Sequence, residues 1–221
     1  MKTFVIIGIS SFGRYLAQFL SEKSFNVIAI DNDESRINEV KDYVSKGIVT
    51  DAKDVKTLQK LGVQKADGVI VSLGEKVDDS MVIIYHLKQL GVKNLYVKVL
   101  SDDHIKIINL VKEAEIIFPE WDSAYKLAQR IGNPNILDFI PLSEEYSILD
   151  WIPTRDFVGK TIGETEFRDK YNVMVISIEE TVPDRTKLIP RSTHVIKASD
   201  VLVLIGQNED LEKLNKLKDD N

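Results

Sequence analysis

The first 119 residues contain six short apolar runs, which recur at roughly regular intervals along the chain. Most positions within each run are apolar, so the runs do not alternate between apolar and polar residues. Runs of this kind are typical of strands that are buried on both faces of a parallel sheet. The predicted strands are 3–8, 26–31, 47–50, 68–73, 94–99 and 115–119.

The segments between these runs place their apolar residues at helical spacing. The predicted helices are 13–23, 33–44, 54–61, 79–90 and 103–112. Strands that alternate with helices predict an α/β fold with a Rossmann-like, doubly wound parallel sheet, in which helices cover both faces of the sheet.

The pattern changes after residue 119. Residues 120–131 predict a helix, and the sequence GNPN at 132–135 predicts a turn or hinge. The segments that follow predict strands at 145–152, 172–179 and 200–205 and helices at 163–170 and 208–218. We therefore expect a first domain at 1–119, a crossover helix and hinge at 120–137, and a small α+β domain at 138–221.

Composition and charge limit the chemistry. The 221 residues include no cysteine and carry a net charge of −6. The lack of cysteine excludes disulfides, thiolate metal sites and cysteine nucleophiles, and the negative charge argues against a nucleic-acid partner. No apolar run reaches the roughly 18 residues that span a membrane, and the apolar start is too short for a signal peptide. We expect a cytoplasmic protein.

The sequence "GISSFG" lies between the first predicted strand and the first predicted helix. A glycine turn at this place presents backbone N–H groups and a helix N-terminus to a phosphate. Gly8 can form the tight turn, and Gly13 can allow the helix to pack closely on the strand. The usual pattern is G-x-G-x-x-G, so Ser10 replaces its middle glycine and narrows the approach of a pyrophosphate.

Asp31 ends the second predicted strand, 23 residues after Gly8. A carboxylate at this place can bind the hydroxyls of a ribose. It would also repel the 2′-phosphate of NADP, so NAD or an adenine nucleotide is the expected ligand. The alternative is that the two glycines only shape a turn and that Asp31 only caps helix 33–44.

The sequence offers little catalytic chemistry. It has no Tyr-x-x-x-Lys motif, and its three histidines are scattered. His86 lies in a mostly apolar helix, His104 is expected at the surface near a helix start, and His194 lies in a polar stretch, so they predict no acid–base group. We expect a protein that is not an enzyme. The main alternative is a small NAD-dependent oxidoreductase, and a nucleotide-sensing transcriptional regulator is disfavoured by the lack of a helix-turn-helix or basic stretch.

Several segments together resemble the regulatory RCK (KTN) domains of bacterial Ktr and Trk potassium uptake systems. The resemblance covers essentially the whole chain, with an RCK-N domain (TrkA-N) followed by an RCK-C domain (TrkA-C). It rests on the ordered set "IGISSFG", "VIAIDNDESRI", "DGVIVSLG", "YVKV", "IIFPEWDSAYKLAQRI" and "LSEEYSI". It implies a cytosolic, non-catalytic, ligand-sensing gating subunit of a potassium transport system.

The resemblance also implies partners and ligands. The membrane partner would be a potassium channel or transporter subunit of the KtrB or TrkH type, which would hold this protein at the inner face of the cell membrane. Homodimers would assemble into a homo-octameric ring, and the apolar surfaces of helices 79–90 and 104–112 fit burial in such an interface. The implied ligands are ATP, ADP, NAD or NADH in RCK-N, cyclic di-AMP in RCK-C, and a divalent cation.

The family's nucleotide-binding positions correspond to ten positions of this sequence. Lys98 would bind phosphate, and Glu120 would lie near the phosphates and hold a metal ion. In RCK-C, Phe167, Arg168 and Pro190 match the cyclic dinucleotide pocket. The alternatives are that Lys98 is an ordinary surface lysine and that Glu120 is a first-turn acid favoured by the helix dipole. For the second domain, the alternative is that Phe167 and Arg168 belong to a solvated helix face and that Pro190 is a loop proline. The ten corresponding positions are Gly8, Ser10, Ser11, Phe12, Gly13, Asp31, Asp51, Ala52, Lys98 and Glu120, and the residue type differs from the family at Ser10 and Ser11.

The loop departs from the family pattern Gly-x-Gly-Arg-Phe-Gly at two positions. Ser10 replaces the second glycine, and Ser11 replaces an arginine that would contact the terminal phosphate of ATP. A charge-assisted hydrogen bond of that kind contributes about 1.5–3 kcal/mol. We therefore expect poor discrimination between ATP and ADP, unless Arg14 folds back to supply the missing charge.

Overall fold

The computed structural model describes residues 1–74, 76–111, 114–132, 135–181 and 184–216. The chain divides into two compact units, Met1–Trp121 and Asp122–Asn221. The division falls within segment 120–137, to which we assigned a crossover helix and hinge. Residues 133 and 134 of the predicted hinge, residue 112 of helix 103–112 and residues 217–218 of helix 208–218 lie outside the described residues.

The first unit contains a six-stranded parallel sheet, which confirms the predicted Rossmann-like fold. The order of the strands is β3-β2-β1-β4-β5-β6, and every neighbouring pair is parallel. All six predicted strands are present, each within a few residues of its predicted bounds. They are β1 (Thr3–Ile7), β2 (Asn26–Asp31), β3 (Lys46–Val49), β4 (Gly68–Val71), β5 (Leu95–Lys98) and β6 (Ala114–Ile117).

Helices cover both faces of this sheet because successive strand residues point to opposite faces. Ile6 belongs to a core cluster that includes Ala17 of α1, whereas its neighbour Ile7 belongs to a second cluster that includes Leu58 of α3 and Ile84 of α4. Both clusters exclude water almost completely. The helices of this unit are α1 (Ser11–Glu22), α2 (Glu34–Val40), α3 (Val55–Leu61), α4 (Val77–Gln89) and α5 (Asp102–Leu110).

Polar caps mark where four of these five helices begin, the exception being α4. The side chains of Ser10, Asp33, Asp54 and Ser101 each accept a backbone N–H bond at a helix start, which satisfies a donor that the helix itself leaves free. Helix α2 ends at Val40, earlier than the predicted residue 44. The amides of residues 43 and 44 both bond to the Val40 carbonyl, so the chain closes into a turn there.

The second unit is built on a five-stranded antiparallel sheet with the strand order β10-β9-β11-β8-β7. Its core surrounds Trp151, which is fully buried and contacts Phe157 and Phe167 edge-on. The elements are α6 (Pro119–Gly132), which begins in the first unit, β7 (Ile136–Pro141), β8 (Tyr146–Trp151), α7 (Phe167–Tyr171), β9 (Val173–Thr181), β10 (Asp184–Leu188), β11 (Asp200–Gln207) and α8 (Asn208–Asn215).

Two strands and one helix of this unit differ from the predictions. Strand β7 was not predicted, because its register shifts between Ile136 and Asp138 and breaks the alternation of buried residues. Strand β10 was not predicted, because its sequence DRTKL is polar. The predicted helix 163–170 is shorter in the structure, where only α7 is helical. Residues 161–164 form a hydrogen-bonded turn instead, and Glu166 has a positive φ of 53°, which interrupts a helix.

No helix in the described ranges is both long enough and apolar enough to cross a lipid bilayer.

Candidate functional site

The glycine loop joins the carboxyl end of β1 to the start of α1. Gly8 has a φ of +88°, and a Cβ on it would lie 2.5 Å from the carbonyl oxygen of Ser72. A Cβ on Gly13 would lie 2.5 Å from the carbonyl oxygen of Gly8. Both positions therefore require glycine for a physical reason, namely the close approach of backbone segments. The result is a tight turn that places the N-terminus of α1 beside the ends of β1 and β4.

Ser10 is the capping residue of α1. Its Oγ accepts a long hydrogen bond of 3.4 Å from the Gly13 amide and lies 2.6 Å from the Oγ of Ser72. Ser11 is exposed at the first helical position, and Phe12 is partly exposed. The predicted loop residues thus form one continuous turn at the carboxyl edge of the sheet.

Asp31 connects this loop to the end of β2. The residue is only 6% exposed. Its Oδ2 accepts a 2.6 Å hydrogen bond from the Ile9 amide, and its Oδ1 accepts a 2.9 Å bond from the Asp33 amide. Arg36 lies 3.8 Å from Oδ2. Because a carboxylate has about four acceptor positions, it can still accept bonds from the hydroxyls of a ribose.

A shallow pocket lies beside this carboxylate, and its empty space of about 380 Å³ includes open solvent. It brings together Asp31, Asp51 and Ala52, three residues that the sequence singled out. The loop from Gly8 to Gly13 does not line it. The described lining residues are Ile7, Ile30, Asp31, Asn32, Arg36, Thr50, Asp51, Ala52, Leu73, Lys76, Asp79 and Ile83.

Several polar residues of this pocket were missed by the sequence analysis. Asn32 and Thr50 lie directly after β2 and β3, and Arg36 lies in the first turn of α2, which follows β2. The carboxyl ends of parallel strands are where α/β proteins bind ligands. Their place after a predicted strand was the feature of the sequence that could have identified them. Asp79 lies in the first turn of α4 and carried no comparable signal.

Lys53 links two sides of the pocket rim. Its Nζ donates a 2.7 Å hydrogen bond to Asp79 and lies 3.9 Å from Asp51. The hydrogen bond to Asp79, together with the negative charge of Asp51, raises the pKa of Lys53. The loop after β3 is thereby tied to the start of α4.

Lys98 and Glu120 form an ion pair at the end of β5 and the start of α6. The Lys98 Nζ donates a 2.6 Å bond to Glu120 Oε1, and the Lys98 side chain is 8% exposed. Partial burial is the largest single influence on the pKa of Glu120 and would raise it, but the hydrogen bond from Lys98, a backbone hydrogen bond and the positive charge of Lys98 together outweigh burial and lower that pKa. Neither residue is among the described lining residues of the pocket beside Asp31.

The predicted metal role of Glu120 stays a prediction. Among the described residues, no group of three or more His, Asp or Glu side chains is arranged to hold a metal ion.

Arg14 does not take the place of the missing loop arginine. Its Nε lies 3.7 Å from Glu39, and its guanidinium lies over the ring of Tyr15 at 4.5 Å. The side chain is therefore engaged along the surface of the helices rather than over the loop.

The three residues predicted for a cyclic dinucleotide line one pocket of the second unit, which encloses about 730 Å³ including open solvent. Phe167 is 3% exposed and stacks on Phe157 at 5.1 Å, so it forms part of the wall. Arg168 is exposed, and Pro190 lies on the loop after β10 and lines the same pocket. The structure thus brings the three together with an accessible cation.

His104 corrects one expectation. It is 2% exposed rather than at the surface, and neither ring nitrogen has a hydrogen-bond partner in the described part of the chain. The sequence suggested exposure because the residue lies in the first turn of a helix, but His104 is on the buried side of that turn, whereas Asp102 and Asp103 are exposed. His194 lies 3.2 Å from Asp200 in the second unit.

Comparison with known proteins identifies both units. The TrkA-N domain matches residues 4–119, and the TrkA-C domain matches residues 152–219. The chain is 33% identical to Ktr system potassium uptake protein C of Bacillus subtilis, over 97% of this chain and 96% of that protein. It is 30% identical to Ktr system potassium uptake protein A of the same organism, over 96% and 95% of the two chains.

Solved structures show the same fold. The RCK domain of GsuK matches 98% of this chain with a TM-score of 0.66 and 20% identity. A GsuK channel bound to NAD matches 100% of it with a TM-score of 0.67 and 18% identity. This chain spans less than half the length of either solved chain, 47% and 40% respectively.

Proposed function

This chain belongs to the family of potassium uptake proteins that combine a TrkA-N with a TrkA-C domain, and we propose that it is a non-catalytic regulatory subunit of a potassium uptake system. The observation that carries the proposal is the match to Ktr potassium uptake proteins along nearly the whole of both chains. It acts at the inner face of the membrane, through a channel or transporter subunit of the KtrB or TrkH type.

The sensing ligand is an adenine nucleotide or NAD(H), bound at the edge formed by the glycine loop, Asp31 and the adjoining pocket. The residues present fit such a ligand. The two glycines allow a close backbone turn at a helix N-terminus, the buried carboxylate has acceptor capacity left for a ribose, and Asp51 and Ala52 line the same pocket. A GsuK channel of the same fold has been solved with NAD.

Binding regulates transport by shifting a conformational equilibrium. A ligand can shift that equilibrium only by its difference in affinity for the two states. A nucleotide that contacts both the loop and Asp31 joins the end of β1 to the end of β2. Drawing these two strand ends together can change the angle between the paired domains. Because Ser11 carries no charge, this chain discriminates weakly between ATP and ADP.

The assembled form is a ring of eight copies built from dimers. Support comes from apolar side chains that the first unit leaves exposed on α4 and α5. Tyr85 is 61% exposed and Leu110 is 82% exposed, with Val82 and Ile107 at 41% and 40%. Apolar side chains of this size at the surface favour burial against another copy.

An oxidoreductase is not favoured. The two Bacillus subtilis relatives, which match along nearly their whole length, are potassium uptake proteins. The three histidines lie in separate environments rather than in an acid–base group.

The second unit binds cyclic di-AMP in the pocket lined by Phe167, Arg168 and Pro190. The supporting observation is that these residues line one pocket, with an exposed guanidinium beside a buried aromatic wall. A guanidinium suits a phosphodiester, and an aromatic and apolar wall suits a purine.

Purification without added ligand tests the proposal. Mass spectrometry of the small molecules that co-purify identifies the ligand, and light scattering gives the number of subunits. We expect eight copies that carry an adenine nucleotide or NAD(H). A monomer with nothing bound, which also fails to bind added ADP, ATP or NAD, would contradict the proposal.

A further inference from the structure

The hydroxyl groups of Ser10 and Ser72 form a bond that crosses between two neighbouring strands of the first sheet. Their Oγ atoms are 2.6 Å apart. Ser10 follows β1, and Ser72 comes directly after β4. In the strand order β3-β2-β1-β4-β5-β6, this is the place where the connections turn to opposite sides of the sheet. Ligands of doubly wound proteins bind in the crevice at that place.

The two serines differ in their access to solvent. Ser72 is fully buried, and Ser10 is only partly buried. A hydroxyl has one proton to donate and two lone pairs that can accept. The direction of the bond between the two serines therefore decides which proton remains free.

Burial favours Ser72 as the donor. Apart from Ser10, the described residues provide no hydrogen-bond partner for the Ser72 hydroxyl, so donation from Ser10 would leave a buried proton without an acceptor. Leaving a buried donor unsatisfied is costly. If Ser72 donates, its proton is satisfied, and Ser10 Oγ accepts from both Ser72 and the Gly13 amide.

In that arrangement both acceptor positions of Ser10 are filled, and its own proton is left over. That proton belongs to the partly exposed member of the pair, at the N-terminus of α1. We propose that Ser72 is a positioning residue, which fixes the Ser10 hydroxyl as a hydrogen-bond donor to a phosphate oxygen of a nucleoside diphosphate group, as in ADP or NAD. This inference rests on the proposed nucleotide function. Under this inference, Ser10 contacts the ligand directly. It does more than narrow the approach of the phosphates by replacing a glycine.

Titration calorimetry with ADP and with adenosine tests the inference. Adenosine has no phosphate, so the ratio of the two affinities isolates the phosphate contact. Ser10→Ala should weaken ADP binding about tenfold, the effect of losing one hydrogen bond to a charged group, and should leave adenosine binding unchanged. Ser10→Thr retains the hydroxyl and should keep most of the ADP affinity.

Ser72 should act only through Ser10. Ser72→Ala should lower the ratio of ADP to adenosine affinity by a few-fold, whereas a purely structural effect would weaken both ligands together. In the Ser10→Ala background, Ser72→Ala should change this ratio no further. Ser101→Ala is the matched control, because it removes a capping hydroxyl of the same kind from α5 and should leave the ratio as it was.

The outcomes separate the inference from the proposed function. Ser10→Gly restores the glycine of the usual loop pattern. If this variant binds ADP as tightly as the unmodified chain or more tightly, the inference is overturned and Ser10 is an obstacle to the phosphates. Equal losses for ADP and adenosine in Ser72→Ala would also overturn it. If the unmodified chain binds neither ADP nor NAD, the proposed function fails, and the inference fails with it.

Discussion

The amide of Ile9 donates a 2.6 Å hydrogen bond to Oδ2 of Asp31, a carboxylate that is 6% exposed. This bond ties the glycine loop to the neighbouring strand. The same side chain accepts a bond from the Asp33 amide through its other oxygen. Asp31 therefore supports the shape of the loop in addition to the ribose contact proposed for it.

Asp31→Ala should lower both stability and ligand affinity. Two backbone donors lose a charged acceptor, so the free energy of unfolding should fall by about 2–4 kcal/mol, and ADP binding should weaken at least tenfold. Urea denaturation and calorimetry measure the two effects. Asp42→Asn, at an exposed position of the same unit, is the control. Unchanged ADP affinity in a folded Asp31→Ala protein would exclude the ribose role.

Ser11→Arg should create a preference for ATP. The new guanidinium would lie at the first position of α1 and could donate to the terminal phosphate, which favours ATP over ADP by about tenfold or more. Calorimetry with both nucleotides gives the ratio. Arg14→Ala should not change that ratio, because Arg14 is engaged with Glu39 and Tyr15. ATP binding tenfold tighter than ADP in the unmodified chain would refute the interpretation of Ser11.

The first unit was predictable because one physical rule repeats along it. The central strands β1, β2 and β4 are largely buried, so each appears as an apolar run, whereas the edge strand β3 is mostly exposed. Glycine or a capping residue marks many of the ends, as Gly62 and Asp54 do for α3. The glycine loop and Asp31 could be predicted equally well from the sequence, since the spacing between them follows from the fold. Ser72 could not be predicted in this way, because the role proposed for it depends on a contact with Ser10, which is 62 residues away in the sequence.

The second unit was less predictable because its elements depend on tertiary contacts. Only Ile136 and Phe139 of β7 point to the core, and β10 is polar. Neither has the alternating pattern that predicts an antiparallel strand. The burial of His104 is a failure of the same kind, since a polar residue in the first turn of a helix usually faces water.

Glu120→Gln should destabilise the first unit by about 1 kcal/mol, because it removes the charged partner of a mostly buried ammonium group. The lowered pKa of Glu120 makes this effect pH-dependent. The carboxylate stabilises the fold above its ordinary pKa of 4.5, and that contribution disappears as the pH falls through the lower value of the folded state. Urea denaturation at pH 7 and below pH 4 should show the difference between the two proteins shrinking. Glu115→Gln, an exposed acid in β6, should show no such trend.

His104→Leu should remove a loss of stability at mildly acidic pH. Burial lowers the pKa of His104 in the folded state below the ordinary value of 6.5, so the unfolded chain binds a proton more readily. The folded state is therefore penalised as the pH falls below about 6.5, down to the folded pKa. Compared with the variant, the unmodified chain should lose stability between pH 7.5 and 5.5 in urea denaturation. Parallel curves for the two proteins would mean that the imidazole is hydrated or paired in solution.

Arg168→Ala should abolish most cyclic di-AMP binding and leave the first unit unaffected. Arg168 is the exposed cation of the pocket that Phe167 and Pro190 also line. Loss of a charge-assisted contact to a phosphodiester weakens binding about tenfold to a hundredfold.

Lys170→Ala is the control for this prediction. Lys170 is an exposed cation of the same short helix, but it lies over the ring of Tyr171 and does not line the pocket. Calorimetry with cyclic di-AMP should therefore separate the two variants, and ADP binding should be the same in both. If Lys170→Ala weakens cyclic di-AMP binding as much as Arg168→Ala does, the ligand responds to the charge of the helix as a whole. The specific role of Arg168 in this pocket would then be wrong.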